Sequence, residues 1–195
     1  VSYEDFKDIK YDNSFPSKFN YSFMDISIIE TLNLDAEDEL SEILDIIQGW
    51  NRKTDIDSQG AGIYGVLYYQ LIRNYRDEIQ KNNNTVSRET LCSALADTRA
   101  YLVDNFGSIN VTLGDFQKLV RGDKEIPIWG LPDVITAMSS IPYKEGRRKV
   151  TQGESYIGLV RFSKDGPQLE SVISYGNSDN PESDHYSDQM DLYSK

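Results

Sequence analysis

The sequence predicts an α+β fold in which a mostly helical block comes first and a β-hairpin with a short terminal helix comes last. Through the first half of the chain, apolar side chains recur at the three- and four-residue spacing of amphipathic helices. Near the C-terminus, two β-rich runs at residues 156–162 and 169–175 flank Lys164-Asp165-Gly166-Pro167, a turn sequence typical of hairpins. The segment between these parts is dense in glycine and proline, which predicts short elements in an irregular chain. We therefore divide the chain into a helical block, 1–105, and a second part, 106–195, within one continuous unit.

Three helices are predicted near the N-terminus. The first, at residues 1–12, begins on Ser2 and Asp5, a pair that resembles a capping box. The second covers residues 17–32, and the third is capped by residues 33–35. The second and third helices each have one apolar face at helical spacing. These faces consist of Phe19, Phe23, Ile26 and Ile29 in the second helix and of Leu40, Ile43, Leu44, Ile47 and Trp50 in the third.

Two longer helices complete the helical block. Ser58 precedes a fourth helix at residues 60–79, and Ser87 caps a fifth at residues 88–104. The fourth helix carries an aromatic stripe, which at helical spacing is more often part of a core than a ligand surface. The inward faces consist of Tyr64, Leu67, Tyr68, Leu71 and Tyr75 in the fourth helix and of Leu91, Leu95 and Leu102 in the fifth.

The second part of the chain is predicted to end in the hairpin and the terminal helix. Residues 143–153 are interpreted as a charged loop before the hairpin. Most alternate positions of the two hairpin strands are apolar or small, so at least one face of the hairpin should be buried. A turn-rich loop at residues 176–184 follows, and Ser183 or Asp184 would cap the last helix.

Composition and charge exclude several classes of partner. The 195 residues carry a net charge of −12, which argues against nucleic acids and anionic membrane surfaces, since both require surfaces rich in Lys and Arg. No stretch is apolar over the ~18 residues that a membrane span needs, and the residues after Val1 lack a secretory signal. The hydrophobic content of 38% is low for a globular domain, so we expect a thin core or apolar surface reserved for a partner.

Neither a metal site nor a cofactor site is predicted. The single cysteine, Cys92, cannot form an internal disulfide or a multi-thiolate site, and its helical context predicts a small buried hydrophobe. Asp55-Ile56-Asp57-Ser58-Gln59-Gly60 resembles the first half of a calcium loop, but Val66 stands where the bidentate Glu should be. An acidic turn with Ser58 as a helix cap is the better interpretation.

His185 is the only histidine in the sequence, and two interpretations of it are open. As a general base it would need a serine nucleophile and an orienting acid, and Asp188 and several serines lie nearby. In the interpretation that we favour, His185 and Gln189 face the same way from the last helix and satisfy loop carbonyls. The nearby serines are Ser178, Ser183 and Ser187.

A series of short motifs closes the chain: Tyr175-Gly176-Asn177-Ser178, Asn180-Pro181, Ser183, His185-Tyr186 and Asp188-Gln189. In this order they resemble the end of the β chain in the penicillin acylase family, which follows the pattern YGxSxxPxSxHYxDQ. The departures are few, because only Asn177 replaces a more usual Gln and Asp184 stands where Pro is common.

Motifs upstream extend the resemblance over nearly the whole chain. One group of motifs is similar to the segment before the terminal hairpin of these acylases. It consists of Leu113-Gly114-Asp115-Phe116, Arg121-Gly122-Asp123, Pro127 and Gly130-Leu131-Pro132-Asp133. A second group of motifs is similar to the helical part of the β chain. It consists of Ser2-Tyr3-Glu4-Asp5-Phe6, Tyr11-Asp12-Asn13-Ser14, Gly49-Trp50-Asn51 and Ser58-Gln59-Gly60-Ala61.

The resemblance implies an N-terminal-nucleophile amidohydrolase with an αββα fold. In this family the first residue of the mature β chain, usually Ser, is the nucleophile, and its own α-amine acts as the base. Val1 is not a nucleophile, and the matched region lies downstream of the nucleophile and oxyanion segments, so no catalytic residue carries over onto this sequence. We therefore expect a C-terminal fragment of the β chain that is inactive alone, packs its helices beside the catalytic core and gives its hairpin to the central sheets.

The same resemblance implies the partners and the setting of the parent enzyme. The parent would hydrolyse the amide bond of an N-acyl compound, such as a β-lactam side chain or an acyl-homoserine lactone, in antibiotic degradation or biosynthesis, and it would be periplasmic or secreted. The upstream β and α segments would be partners of this chain, and unpaired hairpin edges would favour self-association. The alternative, from another class, is a stand-alone acidic helical binding module whose aromatic faces bind a partner.

Overall fold

A computed structural model of the chain describes residues 1–16, 19–21, 23–132 and 134–194, and it places helices before strands, as predicted. Ser17, at the predicted start of the second helix, and Asp133, in one of the family-like motifs, lie outside the described residues. The helices are α1 (Tyr3–Lys10), α2 (Ser41–Gln48), α3 (Gln59–Asn74), α4 (Arg76–Lys81), α5 (Arg88–Phe106), α6 (Leu113–Phe116) and α7 (Met190–Tyr193). The strands are β1 (Asn20–Tyr21), β2 (Met24–Asp25), β3 (Gln117–Arg121), β4 (Lys124–Pro127), β5 (Met138–Pro142), β6 (Arg148–Gly153), β7 (Tyr156–Ser163) and β8 (Gly166–Ile173).

Side chains at the helix ends confirm the caps predicted at Ser2, Ser58 and Ser87. The Ser2 hydroxyl accepts a hydrogen bond from the Asp5 N–H, and the Asp5 carboxylate accepts one from the Ser2 N–H. Ser58 and Ser87 each accept a hydrogen bond from the N–H three residues further on, at the start of α3 and α5. Gly107 ends α5 with φ at 72°, a left-handed conformation that glycine adopts without strain.

The predicted second helix is wrong. In its place β1 and β2 form a short antiparallel pair, and a 3₁₀ helix follows at Ser27–Glu30. The main chain of β2 exchanges hydrogen bonds of 2.7 and 2.8 Å with residues 84–86, and these long-range bonds hold the segment extended. The apolar pattern still marked buried positions, namely Phe19, Ile26 and Ile29.

The larger hydrophobic core lies among α2, α3 and α5, and the predicted faces of these helices are buried in it. The predicted cap at residues 33–35 is wrong, because α2 begins only at Ser41 and Leu40 stands at its N-cap position. The aromatic stripe of α3 is core, as predicted, with Tyr64 fully buried at its centre. Cys92 is half-buried and packs against the same core.

The second part of the chain contains more strand than the glycines and prolines predicted. The strands of the larger sheet follow the order β4-β3-β6-β5, in which β3 and β6 are parallel and the other neighbours are antiparallel. The predicted charged loop at 143–153 is wrong over its second half, where β6 pairs with strands on both sides. A smaller core lies against this sheet and contains Leu119, Ile128, Met138, Val150, Ile157, Met190 and Tyr193.

The predicted hairpin is confirmed as β7 and β8, which form a two-stranded sheet of their own. Its inner face is buried only near the base, at Ile157 and Leu159, so the predicted burial holds for part of one face. The opposite face is apolar and exposed, because Val160 and Leu169 pair across the strands and Phe162 lies beside them with 82% of its surface exposed.

Candidate functional site

The closing motif forms a folded loop, residues 175–189, which we call the C-terminal loop. Its two ends meet, because the Gln189 N–H donates to the Tyr175 carbonyl at 2.9 Å. The Gln189 side-chain oxygen accepts a hydrogen bond from the Ile173 N–H at 3.0 Å, which fixes the loop to the end of β8. Within the loop the Ser178 N–H donates to the His185 carbonyl at 3.1 Å.

The C-terminal loop needs a glycine at position 176. A Cβ at Gly176 would collide with the carbonyl oxygen of His185 and would lie 2.7 Å from a carboxylate oxygen of Asp188. The His185 carbonyl is the acceptor that holds Ser178, so it cannot move aside without loss of that hydrogen bond. The Tyr175-Gly176 dipeptide of the motif is therefore required by close backbone packing.

Arg121, at the end of β3, fastens the C-terminal loop to the larger sheet. Its guanidinium lies 4.4 Å from the ring centre of Tyr186 and 5.2 Å from that of Tyr175, in cation–π contact with both. The same group donates to the Ser178 carbonyl at 3.2 Å and to the Asp179 carboxylate at 2.8 Å. The motif that contains Arg121 and the closing motif are separate in sequence, but these contacts join them in the fold.

Lys124, at the start of β4, makes a second attachment. Its ammonium donates to the Ser187 carbonyl at 3.3 Å and to the Asp191 carboxylate at 2.7 Å. The predicted cap of the last helix at Ser183 or Asp184 is wrong, because α7 begins only after Gln189. Residues 183–189 instead form turns that carry the loop across the end of the sheet.

His185 is paired with Asp188 and is otherwise exposed. The imidazole Nδ1 lies 2.8 Å from the Asp188 carboxylate, and 70% of the histidine side chain is open to solvent. Among the described residues, no serine hydroxyl is hydrogen-bonded to the imidazole, although the Ser183 hydroxyl accepts from the His185 main-chain N–H at 3.2 Å. The interpretation that His185 and Gln189 share a helix face is wrong, because both residues precede α7 and Gln189 accepts from a backbone N–H.

The Asp188 carboxylate raises the pKa of His185 through its hydrogen bond and its charge. We expect an NMR titration of the single histidine to give a pKa above the ordinary value of about 6.5. A raised pKa means that the pair stabilises the fold fully below about pH 6.5 and that this contribution is lost as the pH rises through the folded-state pKa. Asp188→Asn should lower the pKa of His185 toward its ordinary value, whereas an unchanged pKa in this variant would contradict the pairing.

A cleft of about 910 Å³ lies between the hairpin, α7 and the turn at residues 55–57. Its floor is aromatic, with Trp129 and Tyr193 stacked at 5.9 Å between ring centres. The Tyr193 hydroxyl donates to the Glu154 carbonyl, and burial raises the pKa of this tyrosine. Carboxylates of Asp55, Asp57 and Glu170 line the walls.

The acidic turn matches its predicted role as a helix start. The Ser58 side chain accepts from Ala61 at the first turn of α3, and the Asp55 carboxylate accepts from the Asn13 amide at 2.7 Å. Over the described ranges, no group of three or more His, Cys, Asp or Glu side chains is arranged to hold a metal ion. A helix long and apolar enough to cross a membrane is likewise not found among the described helices.

Comparison with known proteins shows that the chain belongs to the penicillin amidase family, whose model matches residues 1–195. The resemblance stated from the sequence is therefore confirmed, and so is the α+β order of elements.

Its relatives are acylases. The acyl-homoserine lactone acylase PvdQ of Pseudomonas savastanoi pv. phaseolicola is 28% identical over 178 residues, which cover 80% of this chain and 22% of that protein. Aculeacin-A acylase of Actinoplanes utahensis is 32% identical over 172 residues, which cover 80% of this chain and 21% of that protein. The chain thus spans about a fifth of the length of these relatives.

Proposed function

We propose that this chain is the C-terminal part of the β chain of an N-terminal-nucleophile amidohydrolase, and that the whole enzyme hydrolyses the amide bond of an N-acyl compound. The observation that carries the proposal is the family match over residues 1–195, taken with relatives that are named acylases and of which this chain covers only about a fifth. An acyl-homoserine lactone, a β-lactam side chain or a similar N-acyl amine would be the substrate. A periplasmic or secreted location and a role in antibiotic degradation or biosynthesis belong to the same proposal.

Within that enzyme the chain would have a structural role. Hydrogen bonds from Arg121, Lys124 and the Ile173 N–H hold the C-terminal loop to β3, β4 and β8. The helical block, 1–105, would pack beside the catalytic core, and the second part, 106–195, would give its hairpin to a larger sheet. The nucleophile would lie in another part of the enzyme, so that the chain alone would be inactive.

The alternative of a helical binding module has less support. It requires the aromatic faces of the helices as a partner surface, but Tyr64 is fully buried and Tyr68 is 6% exposed. Two strongly exposed apolar side chains lie instead on the hairpin, where Phe162 is 82% and Leu169 60% exposed. A hairpin that exposes such residues fits a part of a larger protein better than an independent module.

A chimera tests the proposal. The segment of the P. savastanoi acylase that matches this chain, 22% of that protein, is replaced by the corresponding residues of this chain. We expect the chimera to hydrolyse an N-acyl homoserine lactone, while the same acylase with the segment deleted should not. A soluble, folded chimera without acylase activity would count against the proposal.

Self-association of the isolated chain is a second expected consequence. The outer edges of β7 and β8 are not paired with any described strand, and the apolar outer face is uncovered. We expect sedimentation analysis to show concentration-dependent association, which the double variant Phe162→Lys, Leu169→Lys should reduce by at least tenfold. Gln168→Lys, an exposed polar position on the same strand, is the matched control. A chain that stays monomeric at all concentrations would contradict the expectation.

A further inference from the structure

The cleft beside the hairpin combines a free strand edge with an acidic wall. Strand β8 contributes Glu170, Ser171 and Val172 to the lining, and the turn at residues 55–57 faces them. The Ile173 N–H points away from β7, because it donates to the Gln189 side chain. In an antiparallel pair the outward direction recurs at alternate residues, so the main-chain groups of Leu169 and Ser171 also point outward. Within the described part of the chain, nothing hydrogen-bonds these groups.

The described charged side chains that line the cleft are all acidic. No Lys or Arg is among its described lining residues, although the cleft carries three carboxylates. Glu170 is neutralised by Lys7 at 2.8 Å, and Asp55 is satisfied by the Asn13 amide. Asp57 is exposed and has no ion pair or side-chain hydrogen bond with a described residue. A partner that fills the cleft would therefore be favoured by a positive charge near Asp57.

The floor of the cleft is apolar. Trp129 and Tyr193 offer stacked rings, and Leu192 on α7 is 62% exposed beside them. A strand that adds to β8 would present alternate side chains toward this floor, since successive residues of a strand point to opposite faces. Main-chain pairing gives affinity in such strand addition, and pockets for alternate side chains give specificity.

We infer that this cleft is the docking site of an extended segment from the rest of the acylase polypeptide, which pairs with the β8 edge at residues 169–171. The segment carries apolar side chains that contact Trp129 and Leu192 and a Lys or Arg that contacts Asp57. The inference rests on the proposed function, because it takes the occupant from the remainder of the same enzyme. The net charge of −12 on this chain is consistent with a basic partner segment.

Amide hydrogen exchange on the isolated chain and on the chimera tests the inference. We expect the Leu169 and Ser171 amides to exchange at least tenfold more slowly in the chimera, because they become hydrogen-bonded there. Asp57→Lys in the chimera should restore most of the fast exchange, and Asp57→Asn should do so in part. Asp35→Lys, which changes an exposed turn residue outside the cleft, is the matched control and should have no effect.

The outcomes separate the inference from the proposed function. An active chimera in which these amides exchange as fast as in the isolated chain would overturn the inference and leave the proposed function standing. A folded but inactive chimera with fast exchange would count against both. Protection that Asp57→Lys and Asp35→Lys alter equally would overturn the assigned charge contact.

Discussion

Tyr64→Ala is expected to lower the free energy of unfolding by about 3–5 kcal/mol, the usual cost of removing a buried aromatic side chain. Tyr64 is fully buried, and its ring centre lies 5.4 Å from that of Trp50, 5.1 Å from that of Phe19 and 5.0 Å from that of Phe15. Truncation leaves a cavity among three rings, each of which loses a ring contact. Urea unfolding of the variant measures the loss.

The matched control is Tyr156→Ala, which removes the same side chain from the exposed face of β7, where 59% of the residue is open to solvent. A surface truncation of this kind should change the stability by about 0.5 kcal/mol or less. If Tyr64→Ala cost no more than the control, the assignment of the aromatic stripe to the core would be contradicted.

Gly176→Ala is expected to destabilise the chain by about 1–3 kcal/mol, because the added methyl group has no space. It would displace the His185 carbonyl, break the hydrogen bond to Ser178 and press on Asp188. The amides of residues 178 and 189 should then exchange faster in the variant. Thermal unfolding followed by circular dichroism measures the stability, and hydrogen exchange locates the change.

Gly107→Asn provides a contrast for this prediction. Gly107 has open space around its Cα and a left-handed backbone conformation that asparagine tolerates, so the substitution should cost only a few tenths of a kcal/mol. Equal losses in the two variants would show that the close approach at Gly176 has no special importance.

The helical block was predictable because its signals are local. Ser2, Ser58 and Ser87 have the side chains that cap helices, and the apolar spacing of α2, α3 and α5 follows the helical period. Residues 17–32 have the same spacing, but there long-range main-chain bonds between β2 and residues 84–86 win over the local preference. A strand that depends on such a distant partner cannot be recognised from its own residues.

The same limit applies to the candidate site. β6 is polar along most of its length, and only Val150 is buried, so no alternation of apolar residues marks it as a strand. The motif around His185 is recognisable as a sequence, but its function in the fold depends on Arg121, which bonds to a loop residue 57 positions away. The resemblance included Arg121 in a separate motif, and only the structure joins the two.

The central claim is that the chain supplies framework to an acylase whose reacting group lies elsewhere, and side-by-side amide hydrolysis tests it most directly. The isolated chain, the chimera and the parent P. savastanoi acylase are assayed at equal concentration with one N-acyl homoserine lactone. We expect product from the chimera and the parent acylase and none from the isolated chain. Hydrolysis by the isolated chain that His185→Ala abolishes would contradict it.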